Sequence, residues 1–256
     1  MIHFHQPELE IFACRRVTVK EWEHRNVKIP YWRFYWNDRS GARMIFDGRT
    51  VPMPPEEIFL IPPGVVFSSS SDGEFAQFYI HFQTGSLFDN IIKKIFSFPL
   101  QAAVFSRINT LSELLSAPCP DQSRVNLLAH ALVYEIMLLT GPGDFSAPEK
   151  TDPKIEKAIS IISKSGSKII DNESIAEKLG MSVNGFIRLF TAKTGVSPQK
   201  YARRKRIEKA QCLLHFSDKS IEEIAAETGF LDRFHFSRVF KEFNDISPAK
   251  YRDSGS

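Results

Sequence analysis

The chain has 256 residues, 43% of them hydrophobic and 25% charged, with 13 Gly and 15 Pro. That composition excludes disordered and fibrous classes, and the length exceeds the usual domain of about 100–200 residues, so two cores are expected. Net charge is only +3, yet residues 153–256 carry 19 Lys and Arg against 13 Asp and Glu while residues 1–152 carry 14 against 17, which points to a polyanion partner for the carboxy-terminal half.

The amino terminus, MIHFHQPELE, lacks the basic start and apolar run of a secretion signal, and no segment approaches the ~20 apolar residues needed to cross a bilayer. The three cysteines Cys14, Cys119 and Cys212 are far apart and form no Cys-x-x-Cys pair, so zinc and dithiol chemistry are not expected and a cytoplasmic location is. From Tyr31 to Phe82, short apolar runs punctuated by Pro and Gly read as strands of a small barrel or sandwich: YWRFYWN, GARMIFDGRTVPM, EEIFLIPPGVVF and GEFAQFYIHF. Trp32, Phe34 and Trp36 alternate with Tyr31, Arg33 and Tyr35, so both faces of that strand carry aromatics.

From Leu87 to Thr140 the pattern turns helical, clearest where Val125, Leu128, Leu132, Ile136 and Leu139 recur at three and four residues. This stripe packs on the strand region, mates with a second chain to give a homodimer through residues 121–140, or does both. The segment TGPGDFSAPEKTDPK, Thr140 to Lys154, reads as a linker. The expected division is therefore 1–140, a linker at 141–152, and 153–256.

Beyond it almost everything is helix. Asp152-Pro153 caps and opens one, with Ile155, Ala158, Ile159 and Ile162 on its inner face; Ser197-Pro198 and Ser247-Pro248 repeat the device. The last two belong to a longer duplication. Ile175-Ala176 and Gly180 match Ile224-Ala225 and Gly229 at an offset of 49, whereas Phe186 to Phe190 match Phe236 to Phe240 at an offset of 50, so the second turn holds one inserted residue. Each copy is a short helix, a Gly turn and a second helix led by a cap, Ser182 in the first and Asp232 in the second; this is the helix-turn-helix pattern, whose second helix enters a DNA major groove.

In these residues, above all IEEIAAETGF and FHFSRVFKEFNDISPAKYR, the chain from Pro153 to Arg252 resembles the AraC/XylS family of transcription regulators. The resemblance implies an α+β chain of two domains: a β-rich, cupin-like barrel with helices that binds an effector, then an all-α tandem helix-turn-helix domain joined by one long helix. Asn244-Asp245 depart from the Gly-ending turn usual in the family, though both residues tolerate the left-handed conformation. The implied partner is double-stranded DNA at two adjacent major grooves. Helical geometry and the family's contact positions give Val183, Asn184, Ile187 and Arg188 in the first copy, and Arg233, Phe234, Ser237 and Arg238 in the second, as base-contact candidates facing away from the core. Arg233 or Arg238 suits guanine, Asn184 adenine, and Ile187 or Phe234 a thymine methyl; either arginine could instead hold a phosphate. Lys193, Arg203, Arg204, Arg206 and Lys241 are phosphate candidates.

EEIFLIPPGVVFS is similar to the family's strand-Pro-Pro-Gly turn. The effector candidates are Trp32, Arg33, Trp36, Arg43 and His81, a set of aromatics and polar partners that favours a sugar. RNA polymerase is a further implied partner. The rival readings are a constitutive architectural DNA binder and a metal-dependent cupin enzyme. The latter needs a His-x-His pair with later ligands, but His3-x-His5 stands at the terminus and Phe67 stands where a histidine would follow Pro-Pro-Gly. No cofactor, metal or catalytic residue is expected.

Overall fold

The computed structural model describes residues 9–84, 88, 91–145, 152–164 and 171–253; His3 and His5 lie outside them. The chain divides into two compact units, Met1–Ala147 and Pro148–Ser256.

The first unit is built on two antiparallel sheets. Its strands are β1 (Leu9–Val19), β2 (His24–Lys28), β3 (Trp32–Asn37), β4 (Ala42–Phe46), β5 (Arg49–Pro52), β6 (Glu57–Ile61), β7 (Val66–Ser71), β8 (Phe75–Thr84) and β9 (Phe96–Pro99). One sheet has the order β1-β8-β3-β6-β9 and the other β2-β7-β4-β5. Strands were expected only between Tyr31 and Phe82, so β1, β2 and β9 are additions. In β1 the register with β8 shifts between Ile11 and Ala13, and Leu9, Ile11 and Cys14 reach the same core across that bulge; the bulge hides the strand's period of two.

β3 lies between β8 and β6 and serves two cores. Trp32, Phe34 and Trp36 join Ile58, Leu60, Phe78, Ile80 and Phe82 beneath α1 (Ala102–Ser116) and α2 (Gln122–Met137). On its other face Tyr35 joins Phe59, Ile61 and Phe75 against Ala42, Met44 and Phe67 of the second sheet. Burying each large apolar side chain contributes about 1.5–3 kcal/mol, which commits β3 to this register, since a slip of one residue would exchange the two faces. α2 starts at its cap Asp121, which accepts from the Arg124 amide. It buries Val125, Ala129, Leu132, Val133, Ile136 and Met137 and leaves Leu127, Tyr134 and Leu138 exposed.

The expected linker begins too early. Residues 142–144 form a 3₁₀ turn, the Gly141 amide donates to Asp144 Oδ2 (3.0 Å), Lys94 pairs with Asp144 (2.8 Å) and Phe145 bridges to Ile91. Polar satisfaction of Asp144 by the body of the first unit carries that unit at least to Phe145.

The second unit contains α3 (Pro153–Lys164), α4 (Asn172–Lys178), α5 (Val183–Thr194), α6 (Pro198–Phe216), α7 (Ile221–Glu227), α8 (Arg233–Asn244) and α9 (Pro248–Asp253). One core gathers Ile155, Ile175, Phe186 and Phe190; another gathers Ile224, Phe236, Phe240 and Tyr251. α6 feeds both, giving Tyr201 to the first and Ile207, Ala210 and Leu214 to the second.

Candidate nucleic-acid interface and effector site

The duplication is one of geometry as well as of letters. α4 and α7 each have 7 residues, and α5 and α8 each have 12. Gly180 (φ 62°) and Gly229 (φ 74°) make the turns, where a left-handed backbone favours glycine. Each turn is closed by the same bond, from Met181 N to Ala176 O (3.0 Å) and from Phe230 N to Ala225 O (2.9 Å). The caps then fall out of step. Ser182 Oγ accepts from Gly185 N, one residue after Met181; Asp232 accepts from Phe234 N and His235 N, two residues after Phe230. Leu231 is therefore the inserted residue. It is 90% exposed.

Asp232 sits at a helix N-terminus, and the amide of His235, joined by that of Phe234, holds its carboxyl below the usual carboxylate range against the opposing effect of burial. In α8, Arg233, Phe234 and Arg238 are exposed, Ser237 is half-buried, and Phe236, Val239 and Phe240 are buried. The Arg233 guanidinium stands over the Phe234 ring at 4.7 Å. α5 differs. Asn184 and Arg188 are exposed, but Val183 and Ile187, expected to face away from the core, are half-buried and pack on it. With α3 beside α5, that core is wide enough to claim a broader stripe than the aromatic positions alone suggested.

The basic run on α6 separates by role. Arg203, Lys193 and Lys241 are exposed. Arg204 lies over the Tyr201 ring (5.1 Å) and within 3.6 Å of Glu208. Arg206 is not a surface cation: it donates to Gly229 O (2.8 Å), lies over Phe230 (4.9 Å), and burial, then the charge of Arg203, pulls its pKa below the ordinary range. Its assignment to phosphate is corrected to a strut between α6 and the second turn. Gln211 adds a bond to Asn244 and His215 stacks on Tyr251 (4.5 Å), so α6 is tied firmly to the second module.

On the first unit the effector candidates part company. Trp32 and Trp36 lie on the helix-facing side of β3, where Trp32 Nε1 donates to Thr84 Oγ1 (3.2 Å) and Trp36 Nε1 to Pro55 O (2.9 Å). Period-two alternation removes both from the inter-sheet face. Arg43 stands between inward Ala42 and Met44 on β4 and pairs with Asp72 at the surface. Arg33 and His81 remain. The Arg33 guanidinium is 5.6 Å from both the Tyr31 and Phe67 rings; His81 stacks on Tyr79 (4.7 Å) and its Nε2 lies 3.5 Å from the Tyr35 hydroxyl. Burial raises the Tyr35 pKa, with Arg33 opposing. His24 bonds Ser69 (3.1 Å), and burial, then Arg33, lower its pKa from 6.5. The result is a polar and aromatic cluster directed at the opposite sheet. No group of three or more metal-ligating side chains occurs among the described residues, and none of their helices is long and apolar enough to cross a membrane.

Residues 42–137 match the model of the AraC-like ligand binding domain, and residues 175–254 match that of a helix-turn-helix domain. The chain belongs to the AraC family. It is a transcription regulator with an amino-terminal ligand-binding domain and a carboxy-terminal DNA-binding domain. Among curated relatives, the AraC-family chain is 24% identical to the raffinose operon transcriptional regulatory protein RafR of Pediococcus pentosaceus, over 90% of this chain and 87% of that one. It is 39% identical over 84 residues to an uncharacterized HTH-type transcriptional regulator of Haemophilus influenzae, spanning 33% of this chain and 28% of the relative. With the HTH-type transcriptional activator RhaS of Citrobacter koseri it shares 42% over 80 residues, 31% of this chain and 29% of that protein. The fold is shared with ToxT from Vibrio cholerae (TM-score 0.54, 16% identity, 98% of this chain and 99% of that one).

Two parts of this AraC-family site escaped the sequence reading. The change of offset from 49 to 50 shows that one residue is inserted but not which, so Leu231 carries no signal of its own in the sequence. Tyr79 was missed although β8 alternates visibly, with Phe78, Ile80 and Phe82 on one side and Tyr79 and His81 on the other; His24, on a strand that was not expected, had no such signal.

Proposed function

We propose that the chain reads a two-part operator with α5 and α8, under the control of a small molecule seated by the cluster around Arg33 and His81. The observation that carries this reading is the pair of equal, capped helices, each with an exposed polar residue in its first turn, Asn184 and Arg233, and each packed on one 19-residue helix. At 1.5 Å per residue α6 spans about 28 Å, which suits reading helices that enter grooves roughly 34 Å apart. Asn184 and Arg188 are assigned to bases in one groove, and Arg233, Phe234, Ser237 and Arg238 in the next. Val183 and Ile187, packed on the core, are given no base contact. Lys193, Arg203, Arg204 and Lys241 are assigned to phosphates.

For the effector we propose a saccharide. The raffinose operon named for one relative and the aromatic and hydrogen-bonding surroundings of Arg33, Tyr35, Tyr79 and His81 support that class. The exposed Leu127, Tyr134 and Leu138 of α2 support a homodimer. Acting at promoters in the cytoplasm with RNA polymerase as its downstream partner, the protein has no catalytic task.

The test is selection from random double-stranded DNA with the full chain, with and without raffinose and its component sugars. Enrichment of two short motifs centred about one helical turn apart is expected. Equal retention of all sequences would favour the architectural reading. Titration of the sugars by calorimetry, with Arg33→Met as control, tests the effector; no heat from any of them overturns the saccharide assignment.

A further inference from the structure

The two modules do not present the same chemistry. α5 offers Asn184 and Arg188 while its apolar Val183 and Ile187 are held against the core. The turn before α8 carries Leu231, 90% exposed, and its first turn carries Phe234, 72% exposed. Leu231 stands just before the cap Asp232 and Phe234 is the second residue of α8, so the two flank the start of the helix, and Arg238 lies one turn beyond Phe234. Asp232 between them points its carboxylate back into the backbone amides of Phe234 and His235 (2.8 and 2.7 Å), so the acid is withdrawn from the apolar pair. Arg233 covers Phe234 from one flank at 4.7 Å. Two large apolar side chains set among arginines make a poor solvent surface, and the residue the second module has gained relative to the first is one of them.

We infer that Leu231 and Phe234 together form a thymine-methyl reader, so that the half-site under α8 is recognised through 5-methyl groups flanking an arginine contact, whereas the half-site under α5 is read by polar contacts alone. This rests on the proposed reading of DNA by α5 and α8. The thymine C5-methyl is the apolar feature exposed in the major groove, and the positive charge of Arg233 and Arg238 draws the same surface to the phosphate-lined groove. An apolar tip without that charge would suit a protein partner; here the cations surround it.

The experiment uses the full chain and the sequence enriched from random DNA. Each thymine is replaced singly by deoxyuridine, which removes the methyl and nothing else, and binding is measured for wild type, Leu231→Ala, Phe234→Ala and the double variant. Both side chains are exposed, and unchanged melting curves confirm that the variants fold. For the wild type, each methyl removed from one of the two motifs weakens binding about fourfold, the worth of burying one methyl-sized group. That penalty disappears in the double variant, and deoxyuridine in the other motif is neutral. Uniform neutrality of deoxyuridine in the wild type, or penalties that persist in the double variant, overturns the inference while leaving the regulator reading intact. Failure to enrich any sequence overturns both. Loss of binding to an isolated transcription-apparatus protein in the variants, with deoxyuridine neutral, reassigns the pair to a protein surface.

Discussion

Arg238 and Lys241 lie one turn apart on α8, both exposed, yet the proposed contacts give them opposite signatures. Arg238→Ala is expected to cost about 1–3 kcal/mol and to relax preference at one base pair, whereas Lys241→Ala weakens all sequences alike and lowers the salt slope by about one. Titration against single-base operator variants at several salt concentrations separates them; a uniform loss from the arginine change removes its base-reading role. His24 makes a different forecast. Burial and then Arg33 hold its pKa below 6.5, so the unfolded chain takes up a proton more readily than the folded one. Stability from neutral His24 is intact above pH 6.5 and is lost as pH falls through and below that value. His24→Gln should therefore flatten the fall in melting temperature of the first unit as pH drops below 6.5, relative to wild type. Parallel curves would show that the imidazole does not titrate there.

Among elements, the two reading helices end alike, and their ends can be exchanged. α5 stops at Gly195 (φ 74°) and α8 at Asp245 (φ 62°). A side chain in the left-handed region is strained, so Gly195→Ala should lower stability by about 1 kcal/mol, and Asp245→Gly should raise it by less than about 1 kcal/mol. Chemical denaturation of the full chain reads both, and the same sign for the two changes would refute the cap argument. These ends were legible in the sequence because caps and left-handed stops are local chemistry: Ser182, Ser197 and Asp232 all cap as their spacing predicts. The repeat was legible for the same reason. What depends on partners distant in sequence was not. β1 hides behind a bulge, the depth of Val183 and Ile187 is set by α3 and α4, and Arg206 is claimed by a carbonyl 23 residues away. Trp32 and Trp36 show the intermediate case: their alternation with Arg33 was visible, but which face meets the helices and which meets the second sheet depends on the topology of nine strands.

For the whole molecule, each unit holds its own cores, and α2 leaves an apolar row on the outside of the first. Leu127 is 74% and Leu138 83% exposed, with Tyr134 between them. If a second copy covers this row, Leu127→Glu with Leu138→Glu converts a dimer to a monomer in sedimentation experiments. The helix itself stays folded, because its buried stripe on the opposite side is untouched. Retention of the dimer would place the mating surface elsewhere.

β3 is a single strand thick, and Arg33 and Tyr35 project from one side of it while Trp32, Phe34 and Trp36 project from the other. Whatever occupies the inter-sheet side therefore leans on the same backbone that bears the α1–α2 layer. Occupancy needs no relay of intermediate residues to be felt there, because a twist of this one strand displaces both rows at once. A second copy laid on the outer row of α2 would rest on the helix layer that packs on this sheet, within reach of such a twist.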